Sequence, residues 1–323
     1  MKKPQCIYWI DDNPDRASTA NDVGATFIDL TAEAGVEHFE RVFEDPEPRL
    51  VVVDHILDHS ADGLSHLFRR GSTIAGAVKE RWPRCPVVGV TNADNLNSAD
   101  LRGLETYDDL FKFEDFEQNI DRIRLIAEGF AKVSRIRNSS PQRIIRQLRP
   151  PSEDVDRLES ILPETLKRSR SAKGLASEIY AWVENLRSRP GFLFDRLWAA
   201  THLGLNERGY RLTEANFAES MYDGIFLHPR DPRWWRTLLT AKLYEQCEPD
   251  VGEFPWQVGR RLPNVTRKHF SKCYVCGEEY PETVAYVDEV SDERHAMHLK
   301  CTVAHPGFKR ALLFEDIRMM KEG

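Results

Sequence analysis

The stretch Ile7-Tyr-Trp-Ile-Asp11-Asp12 decides the fold of this chain, because a short apolar run ends there in two adjacent carboxylates. The runs Leu50-Val-Val-Val-Asp54 and Val88-Gly-Val-Thr91 repeat the arrangement and end in a carboxylate and a hydroxyl. In an open parallel sheet, polar groups at the carboxyl ends of the strands meet along one edge. The three runs therefore predict a polar site at such an edge.

Five strand-like runs of this kind occupy the first part of the chain. They cover residues 6–10, 25–30, 50–54, 86–91 and 109–113, and segments of helix length separate them. Alternating strands and helices are typical of a parallel sheet that is covered by helices on both faces. The sequence thus predicts an α/β domain with a five-stranded, parallel, doubly wound sheet.

A closing helix is predicted after the fifth strand. Phe116, Ile120, Ile123, Ala127 and Phe130 recur at spacings of three and four residues, which gives the helix one apolar face. Packing against the sheet is the simpler role for this face. Contact with a second copy of the chain, in a homodimer, is the alternative.

The acidic residues at the strand ends predict a cation site. Asp11, Asp12 and Asp54 would repel one another unless a cation lay among them, and oxygen ligands suit Mg²⁺. The fifth strand would bring the ammonium group of Lys112 to the same edge. With Asp54 as nucleophile, Mg²⁺ and Lys112 could stabilise the charge on a phosphoryl group during its transfer.

Residues 5–133 resemble the receiver domain of response regulators, the CheY-like phosphoacceptor module. The resemblance rests on the order of an acidic pair, a central Asp, a Thr and a Lys, each at a strand end. It implies that Asp54 accepts a phosphoryl group from a histidine kinase or another signalling partner. Asp54 would also hold Mg²⁺ with Asp11 and Asp12, while Thr91 and Lys112 would bind phosphoryl oxygens.

Three positions depart from the receiver pattern. Gly63 follows Asp54 one residue later than is usual in the family. Asp109 stands where an aromatic switch residue is usual, and Phe113 replaces the proline that normally follows the lysine. These departures favour an alternative, in which a pseudo-receiver is not phosphorylated and serves as a scaffold subunit of a larger assembly.

Length and composition predict several domains. The chain has 323 residues, which is more than a typical single domain. The predicted parts are a receiver-like domain at 1–133, a basic helix and linker at 134–174, a helical domain at 175–250 and a zinc-finger region at 251–323. Because no apolar run approaches the roughly 20 residues of a membrane helix, a cytoplasmic protein is expected.

Charge is divided unevenly along the chain. Residues 1–130 contain 14 Lys and Arg against 25 Asp and Glu, whereas the remainder contains 31 against 27. The slightly basic second part includes two basic clusters, at 135–149 and 167–173. Both clusters could contact nucleic-acid phosphates, but a solvated charged face is the simpler explanation.

The helical domain is predicted from apolar spacing. Ile179, Trp182 and Leu186 share one helical face, and Asp231-Pro232 is a typical helix start. No catalytic constellation occurs in this domain. The chain is therefore not expected to be an enzyme, since no convincing catalytic site is predicted beyond possible self-phosphorylation at Asp54.

Four residues near the end of the chain have the spacing of a zinc site. Cys273, Cys276, His298 and Cys301 form the pattern C-x2-C-x21-H-x2-C, which suits tetrahedral Zn²⁺. The predicted elements are a turn, a hairpin strand from Thr283 and a helix that starts at the last ligand pair, as in a treble-clef finger. The window resembles a PARP-type finger or the first half of a LIM module. Because four protein ligands leave no position for water, this Zn²⁺ would be structural.

Two further histidines, His295 and His305, are rival zinc ligands whose spacing fits the pattern less well. Around a second metal they could also serve a treble-clef nuclease, which is the least favoured hypothesis because the finger lacks a clear second ligand cluster. The remaining cysteines, Cys6, Cys85 and Cys247, are interpreted as ordinary thiols.

Basic and aromatic residues flank the finger, among them Lys268, Phe270, Lys272 and Tyr274. Such a mixture suits phosphate contacts and base stacking, whereas the acidic residues between 278 and 293 oppose them. The leading hypothesis is a response-regulator-like signalling protein. Its receiver-like domain would control a helical and zinc-finger output that binds DNA or a protein partner.

Overall fold

The computed structural model describes residues 6–31, 33–58, 70–92, 103–136, 140–168, 174–188, 191–279, 283–287 and 294–298, together with Cys301. The chain divides into two compact units. The first consists of Met1–Ile144, Pro163–Ala181 and Ile225–Pro229, and the second of Ile145–Leu162, Trp182–Gly224 and Arg230–Gly323. Both units are therefore assembled from segments that are not consecutive in sequence.

The first unit contains a five-stranded parallel sheet. Its elements are β1 (Ile7–Asp11), α1 (Ala17–Asp22), β2 (Ala25–Asp29), α2 (Glu33–Val42), β3 (Leu50–Asp54), α3 (Gly71–Arg81), β4 (Val87–Thr91), β5 (Asp109–Lys112) and α4 (Phe116–Val133). The strand order is β2-β1-β3-β4-β5, and all neighbouring strands are parallel. This order confirms the predicted fold class. It also places a topological switch between β1 and β3, where α/β sheets bind ligands.

The central strands have continuous apolar sequences because they are buried on both faces. Every residue of β3 is buried, which requires that both faces of the sheet are covered. On one face, Ile10 belongs to the same apolar cluster as Trp82. The neighbouring Trp9 points to the other face, and its ring centroid lies 4.6 Å from that of Phe116.

The apolar face of α4 is buried as the spacing predicts. Of the five residues predicted for this face, four are buried and Ile120 is partly exposed. The ring of Phe130 lies 6.2 Å from that of Tyr180 and 5.8 Å from that of Phe226, both within the first unit. The first unit itself thus covers part of this face, and homodimer contact through it stays a prediction.

Short helices dominate the described part of the remaining chain. They are α5 (Pro141–Gln147), α6 (Val155–Ser160), α7 (Glu164–Arg168), α8 (Leu175–Ser188), α9 (Arg196–His202), α10 (Glu207–Thr213), α11 (Arg236–Cys247) and α12 (Pro255–Val258). Two antiparallel pairs accompany them: β6 (Leu193–Phe194) with β7 (Trp234–Trp235), and β8 (Thr283–Val287) with β9 (Arg294–His298). None of the described helices combines the length and the apolarity that a membrane crossing requires.

The core of the second unit is rich in aromatic side chains. Trp198, Tyr210 and Trp234 are almost fully buried, and the rings of Tyr210 and Trp234 meet edge to face at 5.4 Å. Helix α9, which carries Trp198, also packs against β8 and β9. The hairpin of the zinc-finger region is therefore attached to the helical part of this unit.

One predicted helix start is wrong. The sequence predicts a helix from Asp231-Pro232, but α11 begins only at Arg236, after strand β7. The carboxylate of Asp231 forms ion pairs with Arg187 and Arg233. Because these tertiary partners hold the carboxylate, it does not cap free amides at a helix start.

Candidate phosphoacceptor and metal sites

Strand register brings the predicted phosphoacceptor residues to one edge of the sheet. Asp11, Asp54, Thr91 and Lys112 are the last residues of β1, β3, β4 and β5, and Asp12 follows β1 directly. The register of β1 and β3 places Asp11 beside Asp54. Thr91 and Lys112 are register partners on the next two strands. All five residues thus lie at the carboxyl edge of the sheet.

The three carboxylates form one buried cluster. Asp11, Asp12 and Asp54 are each no more than 5% exposed. Ligand oxygens of the three side chains lie within 4.8 Å of one another, so one cation could contact all of them. This set of oxygen donors fits Mg²⁺ or another hard divalent cation.

Arg16, which the sequence pattern did not indicate, lies inside the acidic cluster. Its Nη1 atom is 2.9 Å from Oδ2 of Asp11 and 3.0 Å from Oδ1 of Asp54. Its guanidinium carbon lies 4.5 Å from the ring centroid of Phe113, the residue that stands in place of the usual proline. Burial alone would lower the pKa of Arg16, but the charges of Asp54 and Asp11 outweigh it and raise that pKa.

Arg16 neutralises only part of the cluster. When all groups are ionised, three carboxylates and one guanidinium carry a net charge of −2. A divalent cation would balance this remaining charge, so the presence of Arg16 does not remove the electrostatic reason for a metal ion.

Asp54 lies in an environment that disfavours its charged form. Burial, followed by repulsion from Asp11, raises the pKa of Asp54 to about 7, although Arg16 opposes the shift. A carboxyl group that is protonated near neutral pH is a poor nucleophile. A cation beside Asp54 would lower the pKa and restore the carboxylate. The geometry therefore links nucleophilic chemistry at Asp54 to cation binding.

The raised pKa of Asp54 predicts a pH-dependent stability of the first unit. Its folded-state pKa of about 7 exceeds the unfolded value of about 3.9, so the folded state binds more protons between these values. Stability should therefore fall as pH rises through this window, by up to about 1.4 kcal/mol per pH unit. The Asp54→Asn variant should lack this slope, so its stability relative to wild type should rise from about pH 4 to about pH 7 and stay level above it.

Urea unfolding in the presence of EDTA, followed by tryptophan fluorescence, measures this difference. Asp58→Asn is the matched control, because Asp58 is an exposed carboxylate close to Asp54 in sequence. Parallel pH courses for wild type and Asp54→Asn would contradict the prediction.

The residues that follow Asp54 are held closely by their neighbours. His55 is buried, and its Nδ1 atom lies 3.3 Å from the hydroxyl oxygen of Tyr107. Burial, with a contribution from the charge of Asp54, raises the pKa of Tyr107. A Cβ atom on Gly71 would lie 1.9 Å from the carbonyl oxygen of Asp54, so only glycine fits at the start of α3. The sequence pattern indicated none of these three residues, and Gly63 lies outside the described residues.

Asp109, at the position of the aromatic switch, belongs to a polar network. Its Oδ2 atom is 2.7 Å from Nη2 of Arg122 and accepts a hydrogen bond of 2.6 Å from the hydroxyl of Tyr180. Arg122 also donates to the hydroxyl oxygen of Tyr180 at 3.1 Å. Side chains of α4 and α8 thus hold Asp109, which has no ring to rotate as an aromatic switch residue would.

Thr91 and Lys112 differ in exposure. Thr91 is buried, as a residue that faces an enclosed site would be. The side chain of Lys112 is 47% exposed, and its Nζ atom lies 3.8 Å from Oε1 of Glu114. Contact of either residue with a phosphoryl group stays a prediction.

The four predicted zinc ligands form the second candidate site. The ligand atoms of Cys273, Cys276, His298 and Cys301 all lie within 4.8 Å of one another. Sγ of Cys276 is 3.3 Å from Nδ1 of His298, and Sγ of Cys273 accepts the backbone N–H of His298 at 3.3 Å. Three sulfurs and one imidazole nitrogen are the donor set of structural zinc sites, so the cluster could hold Zn²⁺.

A tight turn contains the first two candidate ligands, Cys273 and Cys276. The N–H of Gly277 donates to the carbonyl of Cys273 at 2.8 Å, and Gly277 has a φ of 73°, which favours glycine. Burial would raise the pKa of Cys273, but backbone N–H groups, led by that of Cys276, lower it. The thiolate form that binds metals is thereby favoured.

The predicted hairpin strand is present, and the chain is helical at Cys301, the last predicted ligand, but not at His298. Thr283 opens β8 and pairs with His298, which is the last residue of β9 rather than the first of a helix. The backbone N–H of Tyr274 donates to the carbonyl of Ala296 at 2.8 Å, which attaches the knuckle to β9. A strand, rather than a helix, therefore brings the imidazole ligand to the knuckle.

Of the two rival ligands, the structure describes only His295. The ring of His295 stacks on that of Tyr274 at 3.9 Å and is not part of the four-ligand cluster. His305 lies outside the described residues. The other cysteines, Cys6, Cys85 and Cys247, are free thiols outside the cluster.

The strand order and the strand-end carboxylates together characterise the first unit. Its five-stranded parallel sheet resembles the receiver fold. No family model matches the chain, and no curated protein matches it. Among solved structures, the chain is similar to a response regulator protein from Burkholderia pseudomallei with a phosphorylated aspartic acid, a calcium ion and citrate. The identity is 13%, the TM-score is 0.29, and the match covers 52% of this chain and 98% of that chain.

Proposed function

We propose that the protein is a response-regulator-like signalling protein in which the receiver-like domain is the input. The observation that best supports this function is the buried cluster of Asp11, Asp12 and Asp54 at the carboxyl ends of β1 and β3. The clustered oxygens suit Mg²⁺, which when bound would supply positive charge for the transferring phosphoryl group.

The reaction is the transfer of a phosphoryl group to Asp54. A carboxylate oxygen of Asp54 attacks the phosphorus atom, the bond to the leaving group breaks, and an acyl phosphate forms. Because Arg16 lies 3.0 Å from Oδ1 of Asp54, its guanidinium group has to release this oxygen before the oxygen can attack. Thr91 and Lys112, at the ends of β4 and β5, are proposed to bind the phosphoryl oxygens.

A histidine kinase or a small phosphodonor is the proposed source of the phosphoryl group. The second unit, with its helices and its four-ligand metal cluster, is the proposed output that binds DNA or a protein partner. Incubation with acetyl phosphate and Mg²⁺, followed by intact-protein mass spectrometry, tests the input. One phosphoryl group on Asp54 supports the proposal, and an unmodified protein contradicts it.

A second candidate function is that of a scaffold subunit whose pseudo-receiver is not phosphorylated. Two observations favour it. Arg16 places a permanent positive charge between Asp11 and Asp54, where a receiver holds its cation. Asp109 is held by Arg122 and Tyr180 at the position of the switch residue.

Substitution of Arg16 separates the two functions. Nε1 of Trp9 donates a hydrogen bond of 2.9 Å to Oδ2 of Asp11, so the fluorescence of Trp9 should respond to a cation at the cluster. For a phosphoacceptor, wild type should bind Mg²⁺, and Arg16→Gln should bind it about tenfold more tightly, because a positive charge about 3 Å from the carboxylates is removed. Titration of Mg²⁺ with fluorescence detection measures both affinities, and Trp9→Phe identifies the responding tryptophan.

The matched control is Arg41→Gln, because Arg41 is an exposed arginine of the first unit that pairs with Glu37. Its Mg²⁺ affinity should equal that of wild type. If Arg16→Gln responds to Mg²⁺ and wild type does not, the arginine has replaced the metal, and the scaffold function is favoured.

A further inference from the structure

A cleft of about 330 Å³ lies in the second unit beside the four-ligand cluster. Its lining residues come from α9, the start of α10, the segment 268–272 that leads into the knuckle, the knuckle itself and β9. The cleft is therefore formed jointly by the helical part and the zinc-finger region of this unit.

A pair of stacked rings forms one wall of the cleft. Tyr274 and His295 are nearly parallel, with 10° between the ring planes and 3.9 Å between the centroids. Tyr274 is nevertheless 60% exposed, so much of its surface is open to solvent. The hydrogen bond from its N–H to the carbonyl of Ala296 fixes the backbone of Tyr274 against β9. An exposed and fixed aromatic ring is the usual platform on which a nucleobase stacks.

Two lysine side chains lie in the lining of the cleft together with the stacked rings. Lys268 and Lys272 both line the cleft, whereas Glu207 is its single acidic lining residue among those described. Lys272 is weakly paired with Glu279, since its Nζ atom lies 3.7 Å from Oε1. Lys268 has no acidic side chain within ion-pair distance in the described part of the chain. The cleft thus offers positive charge beside a stacking surface, which suits a phosphate next to a base.

We propose that this cleft binds one nucleotide of a single-stranded nucleic acid. The base would stack on Tyr274, and Lys268 and Lys272 would contact the adjacent phosphates. A volume of about 330 Å³ lies at the small end of ligand sites, which matches an unpaired nucleotide better than a duplex. The inference rests on the proposed function only because it names a ligand for the proposed output. It does not require phosphorylation of Asp54.

Fluorescence anisotropy of the full chain with a labelled single-stranded DNA oligonucleotide tests the inference. Wild type should bind the single strand more tightly than a duplex of the same sequence. Tyr274→Ala should weaken binding between about 5-fold and about 150-fold, because a stacked base is lost, while Tyr274→Phe should keep it. Lys268→Gln should also weaken binding and should reduce the dependence of affinity on salt by roughly one phosphate contact.

Lys242→Gln is the matched control. Lys242 is a lysine of the second unit that pairs with Glu219 and Glu245 and does not line the cleft. Its variant should bind like wild type. Equal affinity for duplex and single strand, or equal losses in Lys242→Gln and Lys268→Gln, would overturn the inference. So would unchanged binding by a Tyr274→Ala protein that retains its zinc.

Zinc content is measured for every variant, because Tyr274 lies between two metal ligands. If Tyr274→Ala loses zinc, the lysine variants decide the outcome. Binding is measured on untreated wild type and on Asp54→Asn. If the protein binds the single strand but acetyl phosphate fails to phosphorylate Asp54, only the proposed input is contradicted. If Asp54 is phosphorylated but the protein does not bind the single strand, only the cleft is contradicted.

Discussion

Asp54→Asn is expected to abolish the Mg²⁺-dependent phosphorylation of this protein by acetyl phosphate. The amide has no carboxylate oxygen that can attack phosphorus, and no acyl phosphate can form. Its side chain is nearly the same size, so the packing around β3 should be preserved. Intact-protein mass spectrometry should show one added phosphoryl group in wild type and none in the variant.

Two comparisons make this result specific. Asp58→Asn removes an exposed carboxylate close to the acceptor and should be phosphorylated like wild type. Omission of Mg²⁺ should suppress the reaction in wild type, because no cation would then stabilise the charge on the transferring phosphoryl group. Asp54, with a pKa of about 7, would also be only partly ionised near neutral pH. Equal labelling of wild type and Asp54→Asn would place the phosphoryl group on another residue and would exclude Asp54 as the acceptor.

Cys273→Ser is expected to reduce bound zinc from about one equivalent per chain to near zero. Cys273 is the most deeply buried of the three cysteine ligands, and its sulfur accepts the N–H of His298. Structural zinc contributes about 10 to 16 kcal/mol to the folding of finger peptides, so the loss should unfold the knuckle and the hairpin. Metal analysis by mass spectrometry and limited proteolysis within residues 271–301 measure the two effects.

Cys247→Ser is the control for this experiment. Cys247 is a partly buried free thiol at the end of α11 and does not belong to the cluster. Its variant should retain zinc and resist proteolysis like wild type. Full zinc content in Cys273→Ser, or less than one equivalent in wild type, would refute the four-ligand site.

The sheet and both ligand sets could be predicted from the sequence because their signals are local. An apolar run that ends in a carboxylate fixes both a strand and the direction of its polar end, as for Leu50–Asp54. The spacing of Cys273, Cys276, His298 and Cys301 likewise matched the observed cluster.

Features that depend on tertiary contacts could not be predicted in this way. Arg16 follows the acidic pair in sequence, but only the folded loop places its guanidinium between Asp11 and Asp54. At Asp231 a local helix signal was overridden because Arg187 and Arg233 hold the carboxylate. At the last ligand pair the sequence predicted a helix start, but His298 ends strand β9 and the helical residue is Cys301.

The polar network at Asp109 limits how independent the receiver-like domain can be. The hydroxyl of Tyr180 donates a hydrogen bond to Asp109, and the ring of Phe226 packs against that of Phe130. Tyr180 and Phe226 both lie far beyond the end of α4 in sequence. Transfer of the sheet and its helices alone to another protein would leave these partners behind. The sheet and its helices therefore depend on residues from the later chain for part of their packing and hydrogen bonding.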